Sequence, residues 1–290
     1  MRDNSYDGAV TLASRGVLYP ARLPTFHRVA APERVAALVR WFWIPEWRIA
    51  PGRSSRQHTI CFPACNLVVE PVGVGFVGPT TRASYRDLTG TGWAVGALLR
   101  PAAVPAFTDD PTALRDSGQP LRLPAVHAAV SAAMAGPEDR RTRHRQAVEA
   151  LTDLLCRAVP APSPEALLAN ALAEIIDTDP AMLTVEDVAG SLHVSVRTLQ
   201  RLARRYVGLS PSAMIRRRRL QEAADRLRAA PGGSLAEVAA EFGYTDHAHL
   251  ANEFRSALGL TLSGYRAQVH RPSVEHVEHV GACGQCARHA

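Results

Sequence analysis

The sequence TVEDVAGSLHVSVRTLQRLARRYVGLS runs from Thr184 to Ser210, and a second version of it, SLAEVAAEFGYTDHAHLANEFRSALGLT, runs from Ser234 to Thr261. Each version contains a helix cap, a short helix with apolar periodicity, a turn, a second helix and a glycine. Their apolar positions coincide once one extra residue is allowed in the second turn. A duplicated helix-turn-helix of this kind can enter two successive major grooves of DNA.

Both short helices carry start signals. Thr184 with Asp187 approximates a capping box, and Ser234 with Glu237 forms the full Ser-x-x-Glu version, in which each partner accepts a hydrogen bond from the other's backbone. We therefore expect both helices to begin at these residues, with the complete reciprocal cap in the second unit.

The second helix of the first unit, about residues 196–207, has two distinct faces. Its apolar residues recur at i, i+3, i+4 and i+7, which predicts one buried side. An arginine can form a fork with guanine O6 and N7, and a glutamine with adenine N6 and N7, so the opposite side suits a major-groove reader. The alternative is a solvated basic face on an ordinary helix. The opposite side carries Arg197, Gln200, Arg201 and Arg204.

A long helix is predicted between the two units, from the cap Ser210 and Pro211 to the breaker Pro231-Gly232-Gly233. About 18 residues of helix span roughly 27 Å. This length suits reading helices separated by one DNA turn, about 34 Å. We expect the run Arg216–Arg219 to clamp phosphate, with Arg217 and Arg218 as the predicted contacts. Four consecutive arginines must point all round a helix, so some of the run will be solvated.

The second unit is poorer in bidentate donors. Ala248, Ala251 and Asn252 occupy the positions of Arg197, Gln200 and Arg201, and His247 and Arg255 lie nearby. We expect the first unit to supply most of the base discrimination. The second should contribute Asn252, phosphate contacts and methyl packing.

Residues 165–268 closely resemble the DNA-binding domain of the AraC/XylS family of bacterial transcription regulators, on the segments SVRTLQRLARRYVGLSP and EVAAEFGYTDHAHLANEFRSALGLTLSGYR. One departure is Leu262, where the family pattern usually has proline. Such proteins often carry a cupin-like effector domain at the N-terminus. The resemblance implies base reading by Arg197, Gln200, Arg201, His247, Ala248 and Asn252.

The N-terminal half shows short β-branched and aromatic runs between about residues 35 and 100, at a spacing typical of a small antiparallel barrel or sandwich. We expect an α+β multidomain protein. We expect residues 1–160 to form a β-rich sensor, which the family resemblance implies is a cupin-like barrel, with a helical connector at about 125–159 that could pair two chains. The proline-rich segment 160–164 is the expected boundary. We expect residues 165–268 to form an all-α double helix-turn-helix domain and residues 269–290 to be a mobile tail.

Composition narrows the class of protein. The 290 residues carry a formal charge of +6 without any lysine, so lysine Schiff-base chemistry is excluded. Between residues 197 and 228 ten arginines face two acids, which places the basicity in the repeat region and favours a polyanionic partner. The lack of an apolar run of about 18 residues and the odd number of cysteines predict a cytoplasmic protein.

Other signals are weaker. Gly73, Gly75 and Gly78 spell G-x-G-x-x-G, but Pro79 follows where a nucleotide site needs a helix, so we expect a turn between strands. We expect no catalytic site and no cofactor. The alternative function is a metal- or thiol-reactive DNA repair or response regulator. It would use thiolates among Cys61, Cys65, Cys283 and Cys286. A second possible metal site lies in the tail alone, at Cys283, Cys286 and His289.

The expected partner is double-stranded DNA at an operator or promoter. RNA polymerase, an effector of unknown identity and a second copy of the chain are further partners that such a regulator would use.

Overall fold

The computed structural model describes residues 25–59, 63–82, 84–230, 232–258 and 261–269. An antiparallel β region comes first and a series of helices follows. The strands are β1 Phe26–Ala30, β2 Val39–Arg48, β3 Ser54–Thr59, β4 Asn66–Glu70, β5 Gly73–Val77, β6 Ser84–Thr89, β7 Thr91–Trp93, β8 Val95–Leu99 and β9 Gly118–Leu121.

The helices follow the last strand, apart from two short 3-10 helices at Glu33–Val35 and Pro101–Ala106. Among the described residues no helix has the length and apolar character needed to cross a membrane. The α-helices are α1 Pro124–Ala135, α2 Arg140–Ala158, α3 Pro164–Thr178, α4 Val185–Ser191, α5 Val196–Tyr206, α6 Pro211–Ala229, α7 Leu235–Glu241, α8 His247–Leu258 and α9 Leu262–Val269.

The main sheet is open, which corrects the expectation of a cupin-like barrel. Its strands run in the order β1-β2-β8-β4-β5-β9, with β7 beside the end of β2, and β3 and β6 form a separate ribbon. The edge strands β1 and β9 do not pair with each other within the described residues. The sheet can remain open because the helices α1 and α2 cover its apolar face, so burial does not require closure.

The core of the N-terminal region lies between this sheet and the helical hairpin of α1 and α2. Strand β2 alternates, with Phe42 and Ile44 fully buried. Helix α2 contributes Leu151 and Leu155 to the same cluster. The predicted connector helices are therefore present, but their apolar stripe is buried against the sheet and is not available to pair two chains. The predicted homodimer would need another surface.

Helix α3 joins the sheet to the C-terminal helices. Asn170 accepts a hydrogen bond from Ala102 N (2.9 Å) and donates one to Ala37 O (2.8 Å). Arg40 of β2 forms an ion pair with Asp177, whose side chain is 10% exposed. Such an enclosed pair loses much less to solvent screening than a surface pair. The contacts tie α3 to β2 and to the 3-10 helix after β8.

Gly208, two residues after the end of α5, lies against an N-terminal loop. Its φ is +83°, and a Cβ there would lie 2.6 Å from Pro111 O. Arg115 Nε donates to Gly208 O over 2.6 Å. The left-handed backbone and the close approach both require a glycine at this position.

We expect Gly208→Ala to loosen the packing between the N-terminal loop and α5. A non-glycine residue at this φ costs about 1–2 kcal/mol, and the overlap with Pro111 adds roughly 1–3 kcal/mol. Limited proteolysis and thermal unfolding of the full chain measure the change. Gly190→Ala in α4 is the matched control, because nothing lies within 4 Å of its Cβ position. Equal behaviour of the two variants would contradict the tight contact.

Candidate nucleic-acid interface

The two helix-turn-helix units share one turn geometry. His193 and Gly243 occupy corresponding positions and both have positive φ, 54° and 68°. Val194 N donates to Ala189 O over 3.0 Å, and in the second unit the corresponding bond from Tyr244 N is 2.9 Å. The same backbone path therefore turns the first helix of each unit into the second, although only one turn contains a glycine.

The helix caps differ from the expectation. Asp187 N donates to Thr184 Oγ1 (3.1 Å) and Thr184 N donates to Asp187 Oδ2 (2.7 Å), so the complete capping box is in the first unit. Ser234 makes no side-chain cap hydrogen bond, so the full box predicted there is wrong. Its exposed hydroxyl remains available to water. In the second unit a side-chain cap is present at the next helix, α8, where Asp246 accepts a bond from His249 N over 2.7 Å.

Each unit has its own core, and α6 belongs to both. Met214 and Ile215, in the first half of α6, pack with α3, α4 and α5. Leu220 and Leu227 pack with α7, α8 and α9. Nineteen residues of α6 span about 28 Å. Helix α6 therefore sets the distance between α5 and α8, the two predicted reading helices. In each of these two helices, the face opposite the buried side is exposed to solvent.

The predicted reading face of α5 is exposed. Its opposite side is fully enclosed, with Leu199, Leu202 and Ala203 at 0% exposure. The polar side chains are held by a regular helix whose cap, Ser195, accepts a bond from Thr198 N over 3.1 Å. The exposed set is Arg197, Gln200, Arg201 and Arg204.

Glu165 of α3 holds part of this face, and the sequence did not reveal it. Its carboxylate accepts bonds from Arg201 Nη1 (2.8 Å), Arg205 Nη1 (3.1 Å) and Tyr206 Oη (3.2 Å). The bond from Arg201, followed by the one from Tyr206, lowers the pKa of Glu165 despite partial desolvation. The acid therefore stays ionised and orients Arg201 before any DNA arrives. It also places a negative charge beside a predicted DNA contact.

Arg218 does not clamp phosphate, contrary to the expectation. Its side chain is 3% exposed, and Nη1 and Nη2 donate to Asp179 O (2.8 Å) and Met182 O (3.0 Å) after the end of α3. A guanidinium enclosed in this way cannot reach DNA. It donates to two backbone carbonyls beyond the end of α3, of which Asp179 O also accepts a bond from Met182 N.

The neighbouring residues Arg216, Arg217 and Arg219 each have different surroundings. Arg219 Nε donates to Phe242 O over 2.6 Å and its guanidinium also bonds Gly243 O, so it supports the turn of the second unit. Arg216 is 55% exposed and lies 3.8 Å from a carboxylate oxygen of Glu253. Arg217 is half-buried and lines a cleft beside Arg216. Four consecutive arginines therefore point around α6, as their helical spacing requires.

The reading face of α8 is exposed and carries few bidentate donors. His247, Ala248, Asn252 and Arg255 all face solvent, whereas Ala251 is half-buried and packs against the unit's core. The position that matches Gln200 is therefore partly used for packing.

The cysteines give little support to thiol or metal chemistry. Cys65 lies in the sheet core, where burial raises the pKa of its thiol to about 12. That thiol stays protonated at neutral pH. A cysteine that acts as a nucleophile or as a metal ligand must instead be a thiolate. The described residues contain no cluster of three or more potential metal-binding side chains. Cys61, Cys283, Cys286 and His289 lie outside the described residues.

Two regions of the chain match known family models. Residues 188–268 match the model of a helix-turn-helix domain, and residues 27–117 match a domain of unknown function. No curated protein matches the chain. The solved C-terminal domain of AraT, a response regulator from Geobacillus stearothermophilus, is 25% identical over 41% of this chain and 96% of that one, with a TM-score of 0.33. ToxT from Vibrio cholerae O395 is 9% identical over 84% of this chain and 96% of its own, with a TM-score of 0.40.

Proposed function

We propose that this chain, whose residues 188–268 are an AraC-type helix-turn-helix domain, is a transcription regulator that reads two successive major grooves of its operator under the control of a signal at its N-terminal sheet. The observation that carries the proposal is the repeated turn with matched hydrogen bonds, which presents the exposed faces of α5 and α8. Arg197, Gln200 and Arg201 supply most base contacts. Arg204, His247, Ala248, Asn252 and Arg255 complete the interface.

The signal would act through a groove on the sheet face opposite the helical hairpin. The indole ring of Trp43 lies over Gly96 and that of Trp47 over Gly92, because no Cβ stands in the way at either glycine. Trp43 Nε1 donates to Asn66 Oδ1 over 3.0 Å. Trp43, Trp47 and Asn66 line a groove of about 810 Å³. This volume and its aromatic floor suit a drug-sized effector.

Strand β2 connects this groove with the reading domain. It carries Trp43 and Trp47 toward the groove and Arg40 toward Asp177 of α3. An effector that shifts β2 would therefore bias how α3 and the first unit are held. Contacts with RNA polymerase and a second copy of the chain complete the proposed regulatory complex.

Genome-wide binding in the native host, followed by a search for a recurring site, tests the DNA reading. We expect the purified protein to prefer that site over scrambled DNA by roughly 10³-fold or more. Affinity should fall steeply with salt, with a slope of about −0.9 per neutralised phosphate. Equal affinity for site and scrambled DNA, at low salt and across candidate effectors, would falsify the proposal.

We expect Gly96→Ala to remove the effector response while leaving operator binding intact. A methyl group at this position overlaps the Trp43 ring and must displace it from the floor of the groove. A thermal-shift screen with a metabolite library provides the measurement. Compounds that stabilise the wild type should not stabilise this variant. Gly232→Ala, with open space at its Cβ position, is the control. Retained stabilisation in Gly96→Ala would place the effector elsewhere.

A further inference from the structure

A second cleft lies where the N-terminal loops meet both helix-turn-helix units, and we propose that it binds a small phosphate-bearing anion. Its volume is about 570 Å³, within the range of small-molecule sites. The binding claim stands apart from the proposed function, and only its effect on transcription depends on that function. The polar side chains that line the cleft are Thr81, Arg115, Ser210, Arg216, Arg217, Glu253 and Ser256.

The charges of the cleft favour an anion. Three guanidinium groups face one carboxylate, so the lining carries a net charge of +2 (three minus one). Glu253 lies 3.8 Å from Arg216 Nε, beyond hydrogen-bond distance, and does not saturate that arginine. Asp116 lies beside the cleft and accepts bonds from Thr81 N (2.6 Å) and Thr81 Oγ1, and its negative charge reduces the local excess to +1 (three minus two). A cleft whose lining has a net positive charge raises the local concentration of anions.

The arginine side chains give the site its chemical preference. Arg115 uses Nε to bond Gly208 O, which anchors the guanidinium at the rim of the cleft. Arg216 and Arg217 approach from α6, so the guanidinium groups come from two different elements. Planar guanidinium forks match the oxygen pairs of phosphate better than they match a halide. A diphosphate or a phosphorylated metabolite would engage more than one of them.

The position of the cleft separates it from the reading faces. It is bordered by Leu209, after the end of α5, and by Glu253 and Ser256 in the second half of α8. The proposed DNA contacts Arg197 and His247 lie in the first turns of these helices. An anion in the cleft would contact the N-terminal loops, α6 and α8 together, and would hold them in one arrangement.

Isothermal titration of the full-length protein with inorganic pyrophosphate, at constant ionic strength, tests the site without DNA. We expect saturable binding that Arg216→Ala and Arg115→Gln each weaken about tenfold or more. Ser256→Glu, which adds a carboxylate to the cleft, should abolish it. Arg204→Ala is the matched control, because it removes one exposed arginine from the reading face of α5 and should leave pyrophosphate affinity unchanged.

Three results would overturn the proposal. The first is the absence of saturable binding at millimolar pyrophosphate. The second is a loss of pyrophosphate affinity in Arg204→Ala equal to the loss in Arg216→Ala, which would place the anion on the predicted DNA-reading face. The third comes from DNA titrations: if Arg216→Ala lowers the salt slope by about one, Arg216 contacts DNA phosphate. Because pyrophosphate binding is measured on free protein, failure of sequence-specific DNA reading would leave its result intact.

Discussion

Arg218→Ala should destabilise the C-terminal region by about 3–5 kcal/mol, the range for breaking one partner of a buried charged network. The substitution removes the side-chain donor to Met182 O, removes one of the two donors to Asp179 O, and removes the contact with Glu222, 3.7 Å away. It also opens a cavity between α3 and α6. Chemical denaturation followed by circular dichroism measures the loss.

The neighbouring Arg216→Ala is the control for this prediction. Arg216 is 55% exposed and its ion pair spans 3.8 Å, so its removal should change the free energy of unfolding by less than about 0.5 kcal/mol. Arg218→Met retains much of the aliphatic volume but none of the donors, and should lie between the other two variants. If Arg218→Ala were as stable as Arg216→Ala and instead weakened binding to all DNA equally, the buried role would be wrong and the phosphate clamp right.

Arg201→Ala should weaken operator binding by about 1–3 kcal/mol, equivalent to roughly 5- to 150-fold, and relax the preference at one base pair. Arg201 is exposed on α5 and its guanidinium is already oriented by Glu165 over 2.8 Å. Orientation before binding reduces the entropy that the side chain loses at the base edge. Competition binding with a set of single-base operator variants measures both effects.

Glu165→Gln separates the orientation of Arg201 from its base contact. Removing the carboxylate charge should strengthen binding to all DNA, because the acid lies beside the reading face, and should reduce the advantage of the operator over scrambled DNA. An equal loss of affinity on every sequence in Arg201→Ala would show that Arg201 touches only phosphate. An unchanged operator preference in Glu165→Gln would remove the orienting role.

The helical half of the protein was largely predictable from its sequence. Cap residues, the i, i+3, i+4 recurrence of Leu199 and its neighbours, and the breaker at Pro231 are local signals, and α5, α6 and α8 lie where these signals placed them. The exposed side of α5 follows from the same periodicity. Strands were predictable only in part: β2 to β8 lie within the predicted region of about residues 35–100, whereas the edge strands β1 and β9 lie outside it.

Sheet closure and the tasks of individual charged residues were not predictable in this way. Whether β1 pairs with β9 depends on what covers the sheet, and only the packed hairpin of α1 and α2 decides that. Arg216, Arg217 and Arg218 are adjacent in sequence and chemically identical. Which of them is buried depends on the carbonyls of Asp179 and Met182, 39 and 36 residues away along the chain.

The sequence by itself thus determined the duplicated units, their helices and the exposed faces predicted to read DNA, because caps and periodicity act within one or two helical turns. The tertiary structure alone decided that Arg218 supports α3, that Glu165 orients Arg201, and that a cationic cleft forms between the N-terminal loops and α6. Each of these requires two segments far apart in the chain to meet, and no local pattern specifies that meeting.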